Sequence, residues 1–467
     1  MILDLAILSR VQFAFTIGFH IIWPTLTIGL GLFLFILESL WLTKKDPIYK
    51  ELYQFWVKIF ALAFGMGVVT GIPLSYQFGT NFSGLSEIAG AVLGPLLSVE
   101  VMTAFFLEAA FIGVMVFGWN RVPPLVHYLA TFFVMIGTHN SAFWIIAANS
   151  WMQTPQGVEL VNGLFSVTSW FDVIFNPSFP YRLSHTLIAS YLTASLVVLG
   201  ISAGYLLKKK QLAFATKGFG IAFLFVAILA PLQIFVGDLH GLEVKEYQPV
   251  KVAAMEGLWE TTQGAPLLLF AVPDVKEETN HYVLKVPYLT SFILTHDFKG
   301  EVQGLKDWPK DKRPPVTTVF YTFRVMVGLG FFFLLIVALG VVLRLRQKLF
   351  ETRWFLRLCT LCVPLGFIAT ICGWIVAEVG RQPFVVYGFL ETKDALSPVI
   401  PEAVLGSLIG FIVTYTLMFG AFLFYCFHFI KKGPSALVEQ AKDVDETEWL
   451  HVATHTTHLT QDRKGEN

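Results

Sequence analysis

Nine runs of 18 or more nearly charge-free residues recur along this 467-residue chain, each long enough to cross a hydrocarbon layer of roughly 30 Å as a helix. Lipid offers no hydrogen bonds, so a spanning segment of this kind must satisfy its own backbone as an α-helix. The runs lie near 11–41, 55–79, 90–118, 123–150, 183–207, 215–237, 319–343, 355–378 and 403–430. Hydrophobic residues make up 55% of the chain, charged residues only 14%, and Phe alone counts 45, which excludes a soluble domain. The expected fold class is an all-α polytopic membrane protein with about nine transmembrane helices. The first run is too long for a signal peptide, follows no basic segment and lacks a small-residue cleavage site, so it is expected to remain in place.

Lys and Arg set the expected orientation, because short connections rich in them stay in the cytoplasm. One set of connections carries Lys44, Lys45 and Lys50, then Lys208, Lys209, Lys210 and Lys217, then Arg344, Arg346, Lys348, Arg353 and Arg357, with Lys431 and Lys432 after the last run. The alternate connections are poor in positive charge: 80–89 has none and 151–182 has only Arg182. The N-terminus is therefore expected on the periplasmic side and the C-terminus in the cytoplasm. The organisation expected is helices one to six in 1–237, a long periplasmic loop in 238–318, helices seven to nine in 319–432 and a polar tail in 433–467. Loops as long as 238–318 are uncommon unless functional or disordered, so this one reads as a binding element.

The zero net charge gives no sign of a nucleic-acid partner. Cys359 and Cys362 form a C-x-x-C in an apolar helix, and their plain reading is packing. The tail histidines His451, His455 and His458 receive no role.

Ionisable residues inside the runs are few, and each is expensive enough to need a reason. They are His20 and Glu38 in the first, Glu100 and Glu108 in the third, His127 and His139 in the fourth and His185 in the fifth. Arg324 precedes Met326 at the mouth of the seventh, and Glu378 with Arg381 closes the eighth. At a rise of about 1.5 Å per residue, His185, Met326 and Glu378 all fall near the outer surface, and His20 lies in the outer half. An imidazole and a thioether at matching depth on two helices are the pair that holds a low-spin haem iron. Glu100 and Glu108 would be about 80° apart around a regular helix and roughly 12 Å apart along it. Two carboxyls stepped through hydrocarbon point to a proton path. Singly, a membrane His or Glu is as readily hydrogen-bonding structure, a Met is core filler and Arg324 a snorkelling anchor. Only their joint geometry carries the functional reading.

Longer motifs sharpen it. GWIVAEVGRQPF at 373–384, FRVMVGLG at 323–330, GDLHGLEVKEYQPVKVAAMEG at 237–257 and FAFTIGFHIIWPTL at 13–26 together resemble the large haem-bearing subunit of cytochrome bd-type quinol oxidases, over all nine runs. The resemblance implies three haems: a low-spin haem b held by His185 and Met326 with Arg324 near its propionates, and a high-spin pair, a haem b and a haem d or further haem b, held by His20 and Glu378. It leaves open which of these two binds the oxygen-reducing haem. Trp374 and Arg381 would pack on or neutralise that pair, and Lys251 and Glu256 would contact quinol. Glu100, Glu108 and His127 would guide protons. A carboxylate beside a cation at a wet edge suits deprotonation of a quinol hydroxyl.

The activity implied is quinol oxidation outside and dioxygen reduction to water with cytoplasmic protons, building a potential without a pumping step, in a bacterial inner membrane. A second large subunit and a small single-span subunit are the implied partners. Two departures stand out: the motif usually written GRQPW ends in Phe384, and only 70 positions separate Glu256 from Met326, so the chain is similar to the short-loop branch, which includes cyanide-insensitive oxidases. The competing classes are a proton-coupled secondary transporter, which predicts inverted repeats that are not evident here, and a b-type quinone reductase without oxygen chemistry.

Overall fold

The computed structural model describes residues 4–434, and among them nine helical segments are long and apolar enough to cross a membrane. The protein is a multi-pass, mainly helical membrane protein. The tail histidines His451, His455 and His458 lie outside the described residues.

The first span is two helices, α1 (Leu5–His20) and α2 (Ile22–Lys44), meeting at Ile21. Pro24 explains the joint, since it has no N–H to give the His20 carbonyl. Asp4 caps α1, and Asp46 caps α3 (Pro47–Thr80), which starts on a proline. The third span is α4 (Ser83–Glu100), a π-helical turn over Val101–Phe105, and α5 (Phe106–Phe117). The fourth is α6 (Pro124–Gln153). A hairpin of β1 (Val158–Val161) and β2 (Leu164–Val167) and the short α7 (Trp170–Ile174) lead to α8 (Phe179–Leu207) and α9 (Leu212–Tyr247).

Helix α9 runs ten residues past the end of its apolar run at 237. Leaving lipid does not end a helix; a breaker does, and here it is Pro249, which forces Gln248 out of the helical region. The long connection therefore begins near 248. It is ordered, with α10 (Pro249–Glu256), β3 (Thr262–Gln263), β4 (Leu267–Asp274), β5 (Thr279–Val286), α11 (Leu289–Thr295) and β6 (Glu301–Val302), where β4 pairs with β5 and β3 with β6. The seventh span is α12 (Val316–Leu345). The eighth divides at Pro364 into α13 (Arg353–Leu361) and α14 (Leu365–Val379). A small hairpin of β7 (Phe384–Val386) and β8 (Leu390–Glu391) precedes α15 (Pro401–Lys432).

Helix α8 is the most enclosed span and α15 the most open. Small residues let backbones meet around α8: a Cβ at Gly29 of α2 would lie 2.4 Å from the Ser190 carbonyl, and one at Gly200 would lie 2.8 Å from that of Cys359. Cys359 and Cys362 are buried in this packing. One end of the bundle gathers the basic residues, as where Lys44 and Lys217 flank the Tyr49 ring at 5.9 and 5.2 Å. The opposite end gathers the long connection, with Gln248 Nε2 donating to the Gln153 carbonyl at 2.7 Å and Tyr387 N to that of Met152 at 2.9 Å. These two ends are the basic face and the loop face.

Candidate functional site

His20 ends α1, and its Nδ1 lies 2.9 Å from Thr70 Oγ1 on α3. Thr70 gives its own hydroxyl proton to the Met66 carbonyl at 2.8 Å, so it accepts from Nδ1–H. The lone pair then sits on Nε2, where a metal would need it. Gly71 flanks the ring, and a Cβ there would lie 3.2 Å from Cε1.

His185 of α8 is arranged the same way against α9, where a Cβ at Gly237 would lie 3.2 Å from its Cε1. Gln233 Nε2 stands 3.1 Å from His185 Nε2, and the His240 ring centre is 5.6 Å away. Met326 of α12 faces α14, where a Cβ at Gly373 would lie 2.9 Å from its sulfur. A glycine on the neighbouring helix thus keeps the space clear beside each of these three side chains. Gln233 Oε1 and His240 Nε2 are buried without hydrogen-bond partners. Among the described residues no three His, Cys, Asp or Glu side chains converge as a bare metal ion requires. The donors fit an iron whose other ligands belong to a macrocycle.

Glu378 lies at the loop-face end of α14, in the most polar part of the interior. Its carboxylate accepts from Asn149 Nδ2 at 2.9 Å and Gln153 Nε2 at 3.2 Å, both on α6, and from Arg381 Nη2. Arg182 of α8 joins through Asn149 Oδ1 at 3.4 Å. Arg381 is buried, and its Nε and Nη1 have no protein partner. Two unsatisfied guanidinium donors are what an anionic group held beside Glu378 would use. Trp374, one turn earlier on α14, is half-buried.

Lys251 is only 1% exposed, and its ammonium donates to Gln153 Oε1 at 2.7 Å and to the Ala377 carbonyl at 3.1 Å. Burial, with repulsion from Arg182 and Arg381, holds it well below the ordinary lysine range. Glu256 instead meets Arg324, whose Nη2 donates to Oε2 at 2.8 Å, while Nε donates to the Leu268 carbonyl. Lys251 and Glu256 thus have different partners. Five residues on a helix are about 140° apart, so α10 sends Lys251 inward towards Glu378 and Glu256 towards α12.

The carboxyls of the third span also depart from the regular-helix expectation. A π turn adds about one residue without adding rotation, so Glu100 and Glu108 are closer to 20° apart than to 80°. Both accordingly face α6 at positions one turn apart: Ser141 Oγ donates to Glu100 Oε1 at 2.6 Å, and a Cβ at Gly137 would lie 2.5 Å from Glu108 Cγ. They form one line. His127 sits nearer the basic face, bonded through Nδ1 to Glu38 Oε1 at 2.7 Å; Thr131 donates to Glu38 Oε2 at 2.6 Å.

The structure therefore brings Lys251, Glu378 and Arg381 together, sets Glu256 on Arg324, and aligns Glu100 with Glu108. Sequence reasoning gives no role to Thr70, Asn149, Gln153, Gln233, His240 or Glu243, nor to Glu38 as the partner of His127. Only His240 and Glu243 stand within a motif read from the chain; the others become visible once the helices are packed.

The profile of the cytochrome bd terminal oxidase subunit I family matches residues 8–434. The chain is 37% identical over 439 residues to the cytochrome bd ubiquinol oxidase subunit 1 of Bacillus subtilis (strain 168), covering 91% of this chain and 94% of that one. It is 33% identical to the cytochrome bd-II ubiquinol oxidase subunit 1 of Escherichia coli (strain K12), covering 93% and 98%. Among solved structures, the bd oxidase from Geobacillus thermodenitrificans superposes with a TM-score of 0.87 at 32% identity, over 92% of this chain and 99% of that chain.

Proposed function

The chain belongs to the cytochrome bd terminal oxidase subunit I family, and we propose that it oxidises quinol at the loop face and reduces dioxygen to water with protons drawn from the basic face. Positive charge at the basic face supports placing it in the cytoplasm and the loop face outside, in a bacterial inner membrane. One observation carries the quinol reading: the Glu256 carboxylate is bonded to Arg324, two positions from Met326. A group able to take a hydroxyl proton is thus bonded to a residue two positions along α12 from the sulfur that would hold the electron-accepting iron.

His185 and Met326 would hold the low-spin haem b, and His20 and Glu378 the irons of the high-spin pair, with Arg381 and Trp374 beside the latter. Haem, when bound, would supply an iron that takes single electrons and binds dioxygen. Glu256 accepts the quinol proton as general base, and Arg324 orients that carboxylate through its Nη2 bond. Lys251 positions the end of α14 through the Ala377 carbonyl, and the quinol contact expected of it passes to Arg324. Glu108 and then Glu100 hand protons along α6 from the basic face, with Glu38 and His127 standing on that side. Proton uptake on one face and release on the other builds a membrane potential without a pump. A second large subunit completes the oxidase, with a small single-span subunit as a further partner.

The test is a purified complex that shows haem absorption and consumes oxygen with a soluble quinol; no haem bands would end the reading. In Glu256→Gln, kcat/KM for quinol should fall by about 10²-fold or more, with the absorption spectrum unchanged. Normal turnover would move the quinol site elsewhere. Glu108→Gln should lower kcat for oxygen consumption by about tenfold or more while leaving the KM for quinol near the parent value, which steady-state kinetics in a detergent or bilayer preparation would show.

A further inference from the structure

The hairpin of β4 and β5 lies at a depth that its loop position conceals. Arg344 and Arg324 of α12 are 20 residues apart, about 30 Å of helix and one hydrocarbon thickness. With Arg344 at the basic face, Arg324 marks the hydrocarbon boundary on the loop face. The hairpin root is fastened at that level, because Arg324 Nε donates to the Leu268 carbonyl and Leu268 packs with Ala271 on Phe320. Its tip is fastened well above, where Glu278 Oε1 accepts from Arg313 Nη1 at 3.0 Å and from Lys310 at 2.8 Å. The start of α12 at Val316 is already roughly 12 Å above Arg324. The hairpin therefore stands along the rim of the bundle, root down and tip up.

Its polarity follows the same gradient, apart from exposed Lys285, which pairs with Leu268 at the root, and exposed Val275 at the tip. Leu268, Ala271 and Asn280 face inward, the last bonded to the Gly257 carbonyl and to Trp259 Nε1. The opposite face carries the cross-strand pairs Leu267 with Val286 and Phe270 with Leu284 at the root. Phe270 is 49% and Leu284 60% exposed. At the tip Lys276 and Glu277 are exposed and Glu278 is ion-paired. Apolar side chains at the boundary and charges beyond it are the pattern of an interfacial element.

We propose that the 267–286 hairpin rests in the headgroup layer of the loop-face leaflet, with Phe270 and Leu284 against the acyl chains. An open two-stranded ribbon cannot enter the hydrocarbon core, where its edge groups would go unsatisfied, so the boundary is as deep as it reaches. On the quinol reading above, a lipid-borne quinol would reach Glu256 and Arg324 past this root; the leaflet contact does not depend on that reading.

The test uses the assembled oxidase in phospholipid nanodiscs. Phe270→Cys, Leu284→Cys and Lys276→Cys, each in a background lacking the four native cysteines, are spin-labelled and probed with oxygen and a water-soluble nickel chelate. The oxygen-to-nickel collision ratio should be several-fold higher at 270 and 284 than at 276. Equal ratios at all three positions would show a solvated hairpin, and shielding of 270 and 284 from both reagents would show a protein cover; either overturns the proposal. On the unaltered complex, a phospholipid with a photoreactive diazirine near the carbonyl end of its acyl chain should label peptides spanning 267–286. Labelling of the spans without this hairpin would also overturn it.

Discussion

Met326→Leu should leave the protein folded and remove its low-spin haem signature. The two side chains are of similar volume, and such swaps in a packed site usually cost less than about 1.5 kcal/mol. The sulfur is lost, and with it the thioether that the proposed low-spin site would take from α12. Left with His185 as its one protein ligand, the proposed low-spin site would turn high-spin. Quinol-driven oxygen consumption should fall by more than about 100-fold, beyond the range typical of losing an outer-shell partner. The reduced-minus-oxidised difference spectrum reads the first effect and an oxygen electrode the second. An unchanged spectrum would remove Met326 from the ligand set. Gly373→Ala is a useful companion, because its methyl would press on the sulfur at 2.9 Å without changing the ligand's chemistry; it should weaken the low-spin signature and not abolish it.

What the chain discloses in advance follows from which forces are local. Hydrophobic length is local, and it places nine spans where the structure has them. Helix continuity is set by breakers as well as by lipid. Pro24 and Pro364 divide two spans and Pro249 ends α9, signals that a hydropathy reading passes over. The π turn at Val101–Phe105 has no such signature, and it changes the angular separation of Glu100 and Glu108. The divergence of Lys251 and Glu256 was legible in principle, since the helical phase of α10 follows from its sequence. The ring of Asn149, Gln153 and Arg182 around Glu378 was not. Those residues come from helices distant in the chain, and each alone is an ordinary polar residue near a helix end.

That ring makes Glu378 the residue whose neutralisation should do most damage. Two guanidinium groups, Arg182 and Arg381, and the buried Lys251 amine gather here, with Glu378 and Glu243 as the nearby carboxylates. Glu378→Gln keeps the shape but turns an acceptor into an amide whose N–H would face Arg381 Nη2 or Asn149 Nδ2, donor against donor. Removing one partner of a buried ion pair typically costs about 3–5 kcal/mol, mostly from the charge left behind. The variant should therefore assemble poorly and lose absorption from the high-spin pair, with oxygen reduction at background. Structural and ligand contributions separate in the double variant Glu378→Gln with Arg381→Gln, which removes the uncompensated cation together with the carboxylate. Assembly, measured as purified complex retaining the His185/Met326 spectrum, should recover substantially. Oxygen consumption should not recover, because the carboxylate proposed to hold an iron of the high-spin pair is still missing. A single Glu378→Gln variant that turned over oxygen at the parent rate would exclude this carboxylate from the reacting centre.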